Sequence, residues 1–308
     1  RGDLMKQILL SVVVFVGLAV AGCSAPTSSS SITEPASIES DAGPTRFSIT
    51  IAGAGPNIIL IPGLASHPDI FASTVEQLQD RYTLHSVHVS GFAGAPPAGN
   101  AGQSDVLVPL GKEIANYAAS LGGSTIVIGH SLGGLTALIA GLEEPDAFDR
   151  IMVIDVLPFF SVLMDPDATT SSISGTADFL KATLLTQTDQ VFEARQREGI
   201  EALTKSSEAK ELSLAWSLTT DRDIMAEAMH DVLTTDLRER ISLLDMPITI
   251  LYGRDELIPN IARVEMQFQS GYAPAPNAQV IPIDGALHFI MQDQPKAYVR
   301  QLEGFLTQ

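Results

Sequence analysis

The sequence predicts an α/β domain: a mostly parallel, doubly wound sheet with helices on both faces and an inserted helical segment. Three observations predict it. From Arg46 onward, short β-branched runs alternate with longer helical stretches, an order that lays parallel strands side by side with a helix crossing between them. The later runs, TIVIGH and PITILY among them, are apolar throughout rather than alternating, as strands covered on both faces must be. Finally, roughly 80 residues between Phe159 and Arg240 hold no convincing strand, far too many for an ordinary connection.

Taken in order, the expected strands are RFSITI (46–51), NIILIP (57–62), TLHSVHV (83–89), TIVIGH (125–130), RIMVID (150–155), PITILY (247–252) and AQVIPI (278–283). Helices are expected near 69–80, 106–121, 132–143, 257–269 and 294–307. GAG at 53–55 reads as a hairpin turn between the first two strands. The strandless stretch, with segments such as RDIMAEAMHDVLTTDLRERI, reads as a helical cap over 159–240. It divides a core made of 46–158 and 241–308. No internal repeat is evident.

The first 45 residues form a different object. MKQILLSVVVFVGLAVAGC begins with one basic residue, Lys6, followed by an apolar run of 14 residues from Ile8 to Ala21. A spanning helix needs about 20, so the run reads as a secretory signal. RGDL before Met5 reads as an upstream reading-frame extension or a remnant of cloning, and with it the signal covers 1–22. The end, VAGC, resembles a bacterial lipoprotein lipobox, which implies acylation of Cys23, an exported, lipid-anchored protein and, from the serine after the cysteine, outer-membrane sorting. Cys23 is the only cysteine, so no intramolecular disulfide can form. A Ser/Pro-rich tether follows over 23–45.

Of the whole chain of 308 residues, 45% is hydrophobic and the mean hydropathy is +0.21, enough for a sizeable core. The net charge is −18 and no lysine/arginine cluster stands out. That argues against nucleic acid and against electrostatic adhesion to anionic lipid.

GHSLGG (129–134) follows the apolar strand TIVI and precedes a helix. A serine on a sharp strand-to-helix turn has its hydroxyl presented outward at the sheet edge. Gly129 and Gly133 stand where a Cβ would collide with neighbouring chain. The helix N-terminus behind it favours developing negative charge. Gly-x-Ser-x-Gly alone is a weak signal, and this setting gives it meaning. A serine needs a histidine to take its proton and a carboxylate to fix that histidine's tautomer.

On these residues the chain resembles the α/β-hydrolase family over 46–308. The resemblance implies a triad in the order nucleophile, acid, histidine. His288 in DGALHFI matches the histidine, after the last strand. Asp255 in LYGRDELIP matches the common acid loop and is the preferred acid. Asp155, ending strand 150–155, is the competitor, because some members carry the acid there; under the Asp255 reading it is structural, and Glu256 is a solvated helix-start charge. Two N–H groups would stabilise the oxyanion, those of Leu132 and of Leu64 in IPGLASHPDIF.

Of the other histidines, His85, His88 and His230 read as structural or solvated, His130 as packing or orientation, and His67 as a loop-surface residue or a pocket-lining one. The loop SGFAGAPPAGNAGQ (90–103) departs from the family's charged motif and suits a border of the active site. Phe92, Phe159, Phe160, Trp216 and Met291 are the aromatic and methionine residues considered for an acyl pocket, though each also fits ordinary packing.

The expected activity is hydrolysis of a small-molecule carboxylic ester through an acyl-enzyme. No cofactor or metal is implied, since no P-loop, complete Gly-x-Gly-x-x-Gly or metal-ligand spacing occurs. Lactone, amide, perhydrolase and carbon–carbon hydrolase chemistry use the same triad and stay open. A non-catalytic, membrane-tethered binding lipoprotein is the alternative of another class.

Overall fold

The computed structural model describes residues 44–123 and 125–307; the expected signal, tether and Cys23 lie outside them, save for the last two tether residues. Seven strands form one sheet: β1 (Phe47–Gly53), β2 (Asn57–Ile61), β3 (Thr83–Val89), β4 (Thr125–His130), β5 (Phe148–Ile154), β6 (Ile248–Arg254) and β7 (Ala278–Asp284). Their order is β1-β3-β2-β4-β5-β6-β7. Only β1 is antiparallel, against β3; the other pairings are parallel.

The alternation of side chains explains the unbroken apolar runs. Ile59 and Ile61 join one buried cluster, with Val127, Ile151 and Ile250. Ile58 and Leu60 join another on the opposite face, with Ile128, Met152 and Leu251. Each face is covered by helices: α1 (Ala72–Leu78) and the C-terminal α10 (Pro295–Leu306) on the second cluster, α2 (Leu107–Ser120) and α3 (Leu132–Glu143) on the first. Fully burying one such aliphatic side chain stabilises by about 1.5–3 kcal/mol.

The expected hairpin at GAG is corrected. β1 and β2 are not neighbours, because β3 lies between them, with Thr83 opposite both Gly53 and Asn57. The connection instead presses on the turn before β3. A Cβ on Gly53, whose φ is 80°, would stand 2.3 Å from the Tyr82 carbonyl oxygen.

Between β5 and β6 the chain runs through four α-helices: α4 (Thr170–Thr186), α5 (Asp189–Glu201), α6 (Ser207–Leu218) and α7 (Arg222–Thr234). Each starts on a residue able to satisfy open N–H groups. Thr169 and Ser172 make a reciprocal capping box on α4, while Thr188, Ser206 and Asp221 cap the other three. One contact docks this segment onto the sheet layer. Val106, at the start of α2, brings no capping side chain, and Asp231 of α7 supplies it. Its Oδ2 accepts the N–H of Val106 at 2.7 Å and of Leu107 at 3.1 Å. Two further helices matter locally, α8 (Ile261–Tyr272) after β6 and the single-turn α9 (Ile290–Asp293) after β7. Among the described residues no helix is long and apolar enough to cross a membrane.

The chain first adds β3 on one side of β2 and then β4 on the other. That reversal opens a crevice at the carboxyl ends of β2 and β4, where open α/β sheets place their ligands.

Candidate active site

At that edge β4 and β5 pair with His130 opposite Ile154, so Ser131 and Asp155 leave the sheet side by side. Each carries the ladder one step further. Ser131 N–H donates to the Ile154 carbonyl and Asp155 N–H to that of Leu251, both at 2.8 Å. Both residues then turn through φ 55°, a region that non-glycine residues rarely adopt.

Crowding around the serine explains its glycines. A Cβ on Gly129 would lie 2.1 Å from the Gly133 carbonyl oxygen, and one on Gly133 would lie 2.1 Å from that of Ile61. Ser131 begins α3 without spending its hydroxyl on a cap. Leu132 is the first residue of that helix, so its N–H has no acceptor within the helix. The loop after β2 presses on the same turn: a Cβ on Gly63 would stand 3.1 Å from Ser131 Cβ. Gly63, Leu64 and Ser131 line one cavity of about 390 Å³.

His288 enters this cavity from the loop after β7. Its Nδ1–H donates to Asp155 Oδ2 at 2.7 Å, and Asp155 Oδ1 accepts the Gly253 N–H at 2.8 Å. The expectation for Asp255 is thereby corrected: the acid on the histidine is Asp155. Asp255 is occupied elsewhere, accepting the Leu257 N–H at 3.0 Å and pairing with Lys205. The Lys205 ammonium, then the Leu257 N–H, hold its carboxyl below the usual carboxylate range. Ser131 and His288 share the cavity wall without a direct hydrogen bond between them. That contact commonly tightens only around substrate.

Two further groups set the histidine loop; the sequence assigned His130 to packing or orientation and gave Asp293 no role. His130 is buried, and its Nε2–H donates to the His288 carbonyl oxygen at 3.0 Å. Burial, and next the neighbouring His288, depress its pKa well below the ordinary histidine value. Its Nδ1 has no partner, so a proton there would be buried unsatisfied. Asp293 accepts three hydrogen bonds: from Leu287 N–H at 2.9 Å, Thr204 Oγ1–H at 2.6 Å and Lys205 N–H at 2.8 Å. Phe289 N–H also donates to the Leu203 carbonyl at 3.0 Å. The inserted segment and the histidine loop are thus clipped together. Nothing in DGALHFIMQD marks Asp293 as the clip, because its partners lie far off in sequence.

Of the aromatic and methionine residues considered for a pocket, Phe160 lines the cavity. Phe92, Phe159 and Met291 are buried in packing, and Trp216 stacks on His67 at 5.9 Å. The loop 90–103 does not line the cavity; it packs on the turn before α7, where Asp221 N–H donates to the Gly91 carbonyl. His85 hydrogen-bonds Tyr117 and Asn57, and His230 lies 3.2 Å from Asp178. Among the described residues no group of three or more His, Cys, Asp or Glu side chains could hold a metal ion.

An Asp-supported imidazole and a serine on a strained turn, flanked by helix N–H groups, make a site suited to acyl transfer. Known proteins agree with that setting. The model of the alpha/beta hydrolase family matches residues 58–301. The chain is similar to a pimeloyl-[acyl-carrier protein] methyl ester esterase of Aliivibrio fischeri (strain MJ11), 26% identical over 72% of this chain and 88% of the relative. It is likewise similar to the protein of that name from Xanthomonas campestris pv. campestris (strain B100), 29% identical over 78% of this chain and 90% of the relative. Among solved structures, a hydrolase from Pseudomonas aeruginosa PA01 superposes with a TM-score of 0.70 at 17% identity, covering 86% of this chain and 99% of its own. The enol-lactonase from Burkholderia xenovorans LB400 gives 0.69 at 15%, covering 86% and 97%. The chain belongs to the alpha/beta hydrolase family.

Proposed function

We propose that this protein is a serine-dependent carboxylic ester hydrolase acting through an acyl-enzyme. The observation that carries the reading is the meeting of Ser131, His288 and Asp155 on one cavity, with His288 Nδ1 2.7 Å from the carboxylate. Asp155 holds the proton on Nδ1, which leaves Nε2 as the basic nitrogen. Nε2 takes the Ser131 proton as the hydroxyl attacks the ester carbonyl, then returns it to the departing alcohol. The N–H groups of Leu132 and Leu64 receive the oxyanion. Water, activated by the same nitrogen, releases the acid. The relatives named as methyl ester esterases support an ester with a small alcohol. The cavity, walled by Leu163, Leu180, Met229, Val232 and Phe268, supports an apolar acyl chain of small to medium length.

A fluorophosphonate probe should label the protein, Ser131→Ala should abolish labelling, and a p-nitrophenyl ester series should turn over with a chain-length optimum. Absence of both labelling and ester turnover in the folded wild type would overturn the reading.

For cellular placement we propose export on residues 1–22 and acylation of Cys23, supported by VAGC and the tether after it. Incorporation of labelled palmitate, lost in Cys23→Ser, is the expected result. Unacylated protein released in soluble form would overturn it.

A further inference from the structure

The cavity wall is apolar except for a few groups whose charges do not balance locally. Three lining side chains other than histidine carry charge: Asp155, Glu201 and Arg263. Asp155 is held by His288, and Glu201 is paired with Lys210. Arg263 is the only lysine or arginine on this wall, and among the described residues no carboxylate pairs with it. In a chain of net charge −18, a guanidinium facing an apolar cavity without a counter-charge is a feature to account for.

Its donors are only partly used. Nη2 donates to the Leu163 carbonyl at 2.8 Å, which fixes the plane of the fork. Nε is buried and has no partner. A guanidinium offers five N–H donors in a rigid fork and keeps its charge across the physiological range. Arg263 also stands in the first turn of α8, where the helix N-terminus adds partial positive charge. The planar group that matches such a fork, and carries the single charge needed to balance it, is a carboxylate.

We infer that the preferred substrate is the monoester of a dicarboxylic acid, its free carboxylate received by Arg263 while the ester carbonyl sits at Ser131. This rests on the ester-hydrolase reading above and extends it to a substrate class. The methylene chain between the two ends fills the apolar wall, and the charge discriminates against plain fatty esters of the same length. A site built to bind a polar group rejects analogues lacking it far more strongly than an apolar pocket rejects one methylene.

The test compares monomethyl esters of five- to nine-carbon dicarboxylic acids with methyl esters of monocarboxylic acids of equal length and with the neutral dimethyl esters. Wild type should favour the carboxylate series in kcat/KM, mainly through KM. In Arg263→Met the ratio of carboxylate to alkyl kcat/KM should fall about 30-fold or more. Arg263→Lys, which keeps the charge but not the fork, should fall between. A second readout needs no turnover. Free pimelate or adipate should raise the melting temperature of Ser131→Ala, and the rise should vanish in Ser131→Ala/Arg263→Met. Equal or poorer use of the carboxylate series by wild type, an unchanged ratio in folded Arg263→Met, or no carboxylate-dependent rise would each overturn the inference. Failure of fluorophosphonate labelling with the thermal rise intact would instead strike the esterase reading.

Discussion

Ser131 and Asp155 both hold φ 55° at the ends of neighbouring strands, and both strands continue their ladders up to that residue. The backbone is thus fixed immediately before the strained residue, which is why the side chains are aimed rather than free to wander. Asp155 can also hold a fixed direction because its second oxygen is anchored on the Gly253 N–H. Asp155→Asn should therefore lower kcat on a p-nitrophenyl ester by about 10³–10⁴, as loss of the tautomer-fixing carboxylate does elsewhere. Asp255→Asn should leave kcat within about tenfold, since that carboxylate is engaged by Lys205 and the Leu257 N–H rather than by His288. A larger loss in the second variant than in the first would reverse the assignment. The sequence held the carboxylate that bonds His288 as an alternative but ranked it second. Loop resemblance favoured Asp255, and only the pairing of β4 with β5 puts residue 155 beside Ser131.

The elements are joined by carboxylates that serve backbone from distant parts of the chain. Asp231 closes the start of α2 from within α7, and Asp293 ties the loop 203–205 to the histidine loop. Leu203 and His288 both line the cavity, so the Asp293 clip sets a stretch of wall and the imidazole together. Asp293→Ala leaves the Leu287 and Lys205 N–H groups to find other acceptors, at a cost of about 1–3 kcal/mol. Its expected signature is a kcat lowered about tenfold with slower fluorophosphonate labelling, and Thr204→Val should show a smaller loss of the same kind. A variant that is destabilised while labelling at the wild-type rate would show that the clip holds only the fold.

At the scale of the whole molecule, buried histidines make stability depend on pH. Burial, and secondarily His288, push His130 well below its ordinary value, and burial lowers His85 and His88 less. An unfolded chain takes up protons near pH 6.5 that the folded form refuses, so stability should fall as pH drops from 7 to 5. For a fully buried histidine the slope reaches about 1.4 kcal/mol per pH unit. His130→Gln, which keeps a donor for the His288 carbonyl, should flatten the dependence by up to that amount. Urea unfolding at pH 5, 6 and 7 reads it directly, and an identical slope in the variant would show that His130 takes its proton without opposing the fold.

The centre of the sheet was legible in the sequence because burial on both faces writes itself as unbroken apolar runs, and β2, β4, β6 and the end of β5 lie where those runs are. The serine turn was legible because steric demand leaves glycines at fixed offsets in one short stretch. What depended on contacts between distant residues left no local trace. The place of β1 beyond β3, the choice of Asp155 over Asp255, the Asp293 clip and the unbalanced guanidinium of Arg263 were settled by tertiary structure alone. A local pattern records what a segment needs from its own neighbours, whereas pairing across the fold is decided by which backbone ends the sheet and its inserted helices bring within hydrogen-bond reach.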